Sequence, residues 1–173
     1  MALNPTLQRL RAAGVSIWLD TLSRDLLESG GFAELIGDYG VTGATSNPTI
    51  FDHAIKNSTA YDAAIRKKVG EGKSGEALFF ELAIEDLTRA ADLFKPAHDA
   101  SGGVDGWASL EVSPLLVDDT EKTIESVARL HDAAARPNLY IKIPGTPAGV
   151  KAIEASIFAG IPINVTLLFS REQ

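Results

Sequence analysis

Apolar positions in this chain switch repeatedly between the spacing of a helix and the short apolar or alternating runs of a strand. Residues 4–13 are spaced as a short amphipathic helix, and Val15-Ser16-Ile17-Trp18-Leu19-Asp20 reads as a first strand. Ser23 to Ser29 and Phe32 to Tyr39 read as two short helices separated by Gly30-Gly31. Gly40 to Ser46 is a second strand of small residues. Asn47-Pro48 then opens a helix, with proline near the first position, where its missing N–H is harmless. Helices follow over 61–70 and 76–94, the second with Leu78, Leu82 and Leu87 at helical spacing, and Pro96 with Ser101-Gly102-Gly103 marks a loop. Gly106 to Val112 is a third strand, and Thr120 to Ala135 is a helix with Asp118 and Asp119 as capping candidates. The fourth strand is Leu139-Tyr140-Ile141-Lys142-Ile143, closed by Pro144-Gly145. Thr146-Pro147 starts a helix that Gly160 ends, and Ile161 to Phe169 is a fifth strand.

Strands separated by helices pair in parallel through right-handed crossovers. No linker, low-complexity segment or repeat interrupts the pattern, so residues 1–173 are expected to form a single domain. The last residues, Ser170-Arg171-Glu172-Gln173, match the Ser-x-x-Gln box that caps the start of a helix. An eight-stranded α/β barrel usually takes roughly 250 residues. The pattern therefore predicts an α/β fold of the (β/α)8 TIM-barrel lineage, truncated after about five strands. The alternative is a complete five-stranded open sheet in which Ser170 ends the chain by chance.

Composition narrows the function. Hydrophobic residues make up 45% and charged residues 23%, ordinary values for a globular protein. A net charge of −7 argues against general nucleic-acid binding, which wants a basic face. The chain has no cysteine, so disulfides and thiolate metal sites are excluded. His53, His98 and His131 lie far apart and are expected at the surface or in packing, not in a metal cluster. No apolar stretch approaches the roughly 18 residues of a membrane span, and Met1 to Arg11 lacks a signal-peptide core, so a cytoplasmic location is expected.

Lys142 stands out because it interrupts an otherwise apolar strand. Taking an ammonium out of water is costly unless it is paired or neutralised. A neutralised lysine is an amine nucleophile that can form a Schiff base with a carbonyl. An exposed strand edge or a structural ion pair is the competing reading. Residues two apart on a strand share a face. Trp18 with Asp20, Thr45 with Asn47, Trp107 with Ser109 and Glu111, and Asn164 with Thr166 are such sets. Five successive strands thus bring polar groups to one face at or near their C-terminal ends, where α/β barrels carry their active sites. An amine, two carboxylates (Asp20, Glu111) and neutral groups able to hold hydroxyls (Asn47, Asn164, Thr45, Thr166) suit carbon–carbon bond chemistry on a polyhydroxylated carbonyl compound.

Two long stretches carry a resemblance. Val41-Thr42-Gly43-Ala44-Thr45-Ser46-Asn47-Pro48-Thr49-Ile50-Phe51 resembles the Thr-Ser/Thr-Asn-Pro signature of transaldolases. Ile141-Lys142-Ile143-Pro144-Gly145-Thr146, with Gly149, Gly160-Ile161, Asn164 and Thr166 to Ser170, resembles the Schiff-base signature of that family. Trp18-Leu19-Asp20 and Leu110-Glu111-Val112 are similar to its first and third strands, and the spacing resembles the classical or longer bacterial branch. The resemblance implies transfer of a dihydroxyacetone unit between sugar phosphates, from sedoheptulose 7-phosphate to glyceraldehyde 3-phosphate, in the pentose phosphate pathway. It implies Lys142 as the amine that attacks the ketose carbonyl and Asp20 as the acceptor of the C4 hydroxyl proton. It implies Glu111, through a water held with Thr166, in forming and hydrolysing the imine, and Asn47, Asn164 and Thr45 in the substrate pocket. No metal or organic cofactor is implied. The phosphate-binding arginine and serine of the family are expected beyond Gln173.

Two further readings compete. One is a lysine-dependent aldolase that cleaves without transfer. The other is an inactive half-barrel that self-associates through its unpaired strand edges.

Overall fold

The computed structural model describes residues 5–173, so position 4 of the first expected helix lies outside the described residues. Five strands, β1 (Trp18–Leu19), β2 (Gly43–Ser46), β3 (Trp107–Glu111), β4 (Leu139–Pro144) and β5 (Ile163–Thr166), form one sheet. All neighbours pair in parallel, and the spatial order is the chain order. A doubly wound sheet reverses its order at a switch point. Sequential order without reversal is that of an α/β barrel.

Among the described residues, eight α-helices accompany the strands: α1 (Pro5–Ala12), α2 (Arg24–Glu28), α3 (Gly31–Tyr39), α4 (Pro48–Lys56), α5 (Asp62–Gly70), α6 (Gly75–Ala100), α7 (Thr120–Ala134) and α8 (Pro147–Phe158). Their starts follow local chemistry. Ser23, Asn47, Asp119 and Thr146 each accept a backbone N–H from the first turn of α2, α4, α7 and α8. Of the two aspartates expected to cap α7, Asp119 makes the bond.

The sheet has one covered and one open face. Ala44, Ala108, Leu110, Leu139, Ile141 and Ile143 are buried on the helix-covered side, with α6 packed on β3 and α7 and α8 on β4. Leu82, Leu87, Ala90, Ala91 and Phe94 of α6 complete that core. The other face carries Trp18, Gly43, Thr45, Trp107, Ser109, Glu111, Tyr140, Lys142 and Asn164. It is curved: Trp18 on β1 lies 6.4 Å from Tyr140 on β4 although β2 and β3 stand between them. Trp107 stacks on Tyr140 at 3.9 Å, so three aromatic rings floor the trough. Gly43 is required here, because a Cβ would lie 2.3 Å from the Trp18 ring.

Several element bounds differ from the sequence reading, each for a visible reason. β1 starts at Trp18, not Val15, because the Val15 N–H closes α1 by donating to Leu10. β2 starts at Gly43 because Gly40, at φ 66°, and the Val41 N–H, donated to Leu35, close α3. β5 ends at Thr166, since Leu167 takes φ 63° and turns the chain out of the sheet. α6 runs through Pro96, where a loop is expected. An interior proline costs about 3 kcal/mol. The last turn is nevertheless held by His98, packed edge-on to Trp107 at 5.0 Å and against Gly106, where a Cβ would clash with the His98 backbone at 2.3 Å.

Outside the sheet, a buried ionic cluster ties α2 to α5 and α6. Arg24 and Asp86 are 6% and 0% exposed and pair at 2.8 Å, and Arg24 also reaches Glu85 at 2.9 Å. Lys68 bridges Glu85 and Glu81 at 2.8 and 2.9 Å. Burial pushes the Asp86 carboxyl above its ordinary value against the pull of Arg24 and Tyr61. Burial and the Asp86 charge together push the Tyr61 hydroxyl up, so it remains a donor. Both bonds of the expected capping box are made: Ser170 N–H donates to Gln173 Oε1 at 3.0 Å, and Gln173 N–H to Ser170 Oγ at 3.4 Å.

Candidate active site

Lys142 lies on the open face of β4, and its Nζ is 3.1 Å from Glu111 Oε2 on β3. The register makes the meeting obligatory: Glu111 pairs with Lys142 across β3–β4, and Lys142 with Asn164 across β4–β5. Carboxylate, amine and amide therefore stand in one row across three strands. Their side chains are largely withdrawn from water, at 13% exposure for Lys142 and 16% for Glu111. The ion pair compensates the lysine's burial. Lys142 sits inside a strand, and it is paired.

The residues around the row are fixed in different ways. Asn164 donates its Nδ2 to Ser109 Oγ at 3.0 Å, which sets the direction of its amide. Thr45 pairs with Ser109 in register, and its Oγ1 is a buried polar atom with no hydrogen-bond partner. Asn47 follows β2 and spends its Oδ1 on the Ile50 N–H at 2.9 Å as the α4 cap. A cavity of about 310 Å3 brings Asn47 together with Glu111, beside Pro48, Thr49, Ile50 and Pro114. Thr166 stands opposite Pro144, two residues beyond Asn164 towards the C-terminal end of β5.

Asp20 is not gathered with the others. It follows β1 at the far edge of the sheet, is exposed, and makes no hydrogen bond or ion pair among the described residues. A second cavity of about 440 Å3 spans the trough from Trp18 to Asn164, lined also by Tyr140, Ile163 and Val165. Ser109 and Tyr140 are functional-face residues that the sequence reading left without a role. The alternation Trp107, Ser109, Glu111 and Tyr140, Lys142 carries the signal for both, since each shares a face with a singled-out residue.

A parallel sheet in barrel order, with a lysine–carboxylate pair on its open face near the strand ends, defines the class: an α/β-barrel-type protein bearing a lysine site. Residues 17–173 match the family described as Transaldolase/Fructose-6-phosphate aldolase. The chain belongs to that family, which is an enzyme family. Among its relatives, the transaldolase of Mycolicibacterium smegmatis is 48% identical over 173 residues, covering 100% of this chain and 47% of the relative. The transaldolase of Saccharopolyspora erythraea is 47% identical over 173 residues, with the same coverage. That of Mycobacterium tuberculosis is 47% identical over 172 residues, covering 99% of this chain and 46% of the relative. The chain thus spans about half the length of these relatives. No helix among the described residues is long and apolar enough to cross a membrane.

Proposed function

We propose that this chain carries the imine-forming half of a transaldolase site, with Lys142 as the nucleophile. The single observation behind this is the Lys142–Glu111 contact of 3.1 Å on the open face of the sheet. A carboxylate within hydrogen-bond reach can take a proton from the amine, directly or through one water. The amine of Lys142 then attacks the C2 carbonyl of a ketose phosphate, and the carbinolamine loses water to give a protonated imine. Glu111, helped by Thr166 at the end of β5, manages that water. Asp20 takes the proton of the C4 hydroxyl. The C3–C4 bond breaks, its electron pair passes into the imine to give an enamine, and the aldehyde leaves. The enamine adds to an acceptor aldehyde, which recovers a proton from Asp20, and hydrolysis frees Lys142.

Asn47 and Asn164 hold the hydroxyls of the dihydroxyacetone unit. The geometry supports this, because the cap bond uses only the Asn47 oxygen and the Ser109 bond only one Asn164 N–H. The unpartnered Thr45 hydroxyl offers a further donor or acceptor to that pocket. The protonated imine is itself the electron sink, so this route calls on no cofactor. The substrates are sugar phosphates, and the reaction belongs to the pentose phosphate pathway in the cytoplasm.

Transfer and simple cleavage are told apart by products. With a ketose phosphate alone, a transferring protein is expected to hold the dihydroxyacetone unit and release it only when an aldehyde acceptor is added. Steady release of free dihydroxyacetone without acceptor would make this a plain aldolase.

Self-association is a second element of the reading. β1 and β5 each have one edge with no strand partner among the described residues, and Leu167, Leu168 and Phe169 beside β5 are exposed, Phe169 at 84%. An open edge flanked by apolar residues is a template for pairing with another chain. The isolated chain is therefore expected to sediment as a dimer or larger, with weak turnover. A monomer with turnover matching full-length relatives would contradict this.

A further inference from the structure

The buried cluster on the helix side of the sheet has a consequence for the proton-transfer step. Only Thr21, Leu22 and Ser23 separate Asp20 from Arg24, the first residue of α2. Arg24 is held from every side. Its backbone N–H donates to the Tyr61 hydroxyl at 2.8 Å, its Nε to Asp86 Oδ1 at 2.8 Å and its Nη2 to Glu85 Oε2 at 2.9 Å. Its guanidinium lies 4.7 Å over the Tyr61 ring. Tyr61 in turn donates to Asp86 Oδ2 at 2.9 Å and packs edge-on to Phe51 of α4 at 5.8 Å. Leu22, midway along the connection, is fully buried.

Asp20 itself has no partner among the described residues to hold it, so its position is inherited from the segment that follows. We propose that Tyr61, Arg24 and Asp86 form a positioning clamp that fixes the β1–α2 connection and thereby aims the Asp20 carboxylate across the trough. The inference rests on the reading of Asp20 as proton acceptor for bond cleavage. Its weight comes from the unusual acceptor: a backbone N–H at a helix start is satisfied by the hydroxyl of a tyrosine 37 residues away, which ties the loop to α4, α5 and α6 at once. A misplacement of about 1 Å in a reacting group costs on the order of 10²-fold in rate.

Tyr61→Phe removes the hydroxyl and keeps the ring. Incubation with fructose 6-phosphate followed by borohydride traps either the intact six-carbon sugar on the lysine or the three-carbon unit left after cleavage, and mass spectrometry separates them. The unsubstituted protein is expected to give mostly the three-carbon adduct. Tyr61→Phe should shift the ratio towards the six-carbon adduct by about a hundredfold, with total trapping unchanged, because Lys142 and Glu111 lie on β4 and β3, away from the clamp. Val127→Ala, which empties a buried site on α7, serves as a folded but destabilised control and should leave the ratio unchanged. Amide exchange over residues 20–24 should quicken in Tyr61→Phe and not in Val127→Ala. An unchanged ratio in Tyr61→Phe, or an equal shift in both variants, overturns the clamp. An unsubstituted protein that forms no adduct, or only the six-carbon one, overturns the reading of Lys142 or of Asp20 beneath it, and the clamp falls with it.

Discussion

Lys142→Met is expected to abolish borohydride trapping of a ketose phosphate while leaving the fold intact. The substitution removes the amine and keeps an apolar stem of similar length, which suits a side chain that is only 13% exposed. It also leaves Glu111 without its partner. That carboxylate keeps 16% exposure and borders a cavity of about 310 Å3 through which solvent can reach it, so a modest stability loss is expected and not unfolding. Circular dichroism and a denaturant titration check the fold. Retained trapping in a folded Lys142→Met protein would remove the nucleophile from the account.

Asp20 and Glu111 should fail in different ways. Glu111→Gln keeps the shape and loses the base beside the amine, so imine formation should slow by about 10²–10⁴-fold, the usual contribution of a positioned general base. Asp20→Asn should leave trapping near normal and block cleavage, so the six-carbon adduct accumulates. The two carboxylates stand in different places. Glu111 touches Lys142 at 3.1 Å, whereas Asp20 lies at the far edge of the sheet, with β2 and β3 between. Time courses of trapping and of adduct mass distinguish the steps. Equal loss of trapping in both variants would contradict this division.

Much of this architecture is legible in residue pattern. The helix-starting pairs Asn47-Pro48 and Thr146-Pro147 carry their own chemistry, a side-chain acceptor followed by a residue with no N–H to lose, and both cap as expected. The row of Glu111, Lys142 and Asn164 follows from two-residue alternation once strand order is known, because the register is set by which face must be buried. What pattern cannot carry is tertiary. Pro96 reads as a stop, yet His98 and Gly106 hold the helix beyond it. Leu167 to Phe169 continue an apolar run, yet a single left-handed residue at Leu167 takes them off the sheet. Arg24 and Asp86 lie 62 residues apart, and no local signal pairs them. Asp20 is found by its place at the C-terminal end of the first expected strand, but its distance from Lys142 depends on sheet curvature, which short-range pattern does not encode.

The most direct test of the central claim is the identity of the residue that becomes covalently bound. The protein is incubated with fructose 6-phosphate, reduced with borohydride, digested and mapped by mass spectrometry. The account predicts a single reduced adduct on Lys142, carrying the three-carbon unit. An adduct on Lys122 or Lys151 instead, or no adduct at all, would contradict it.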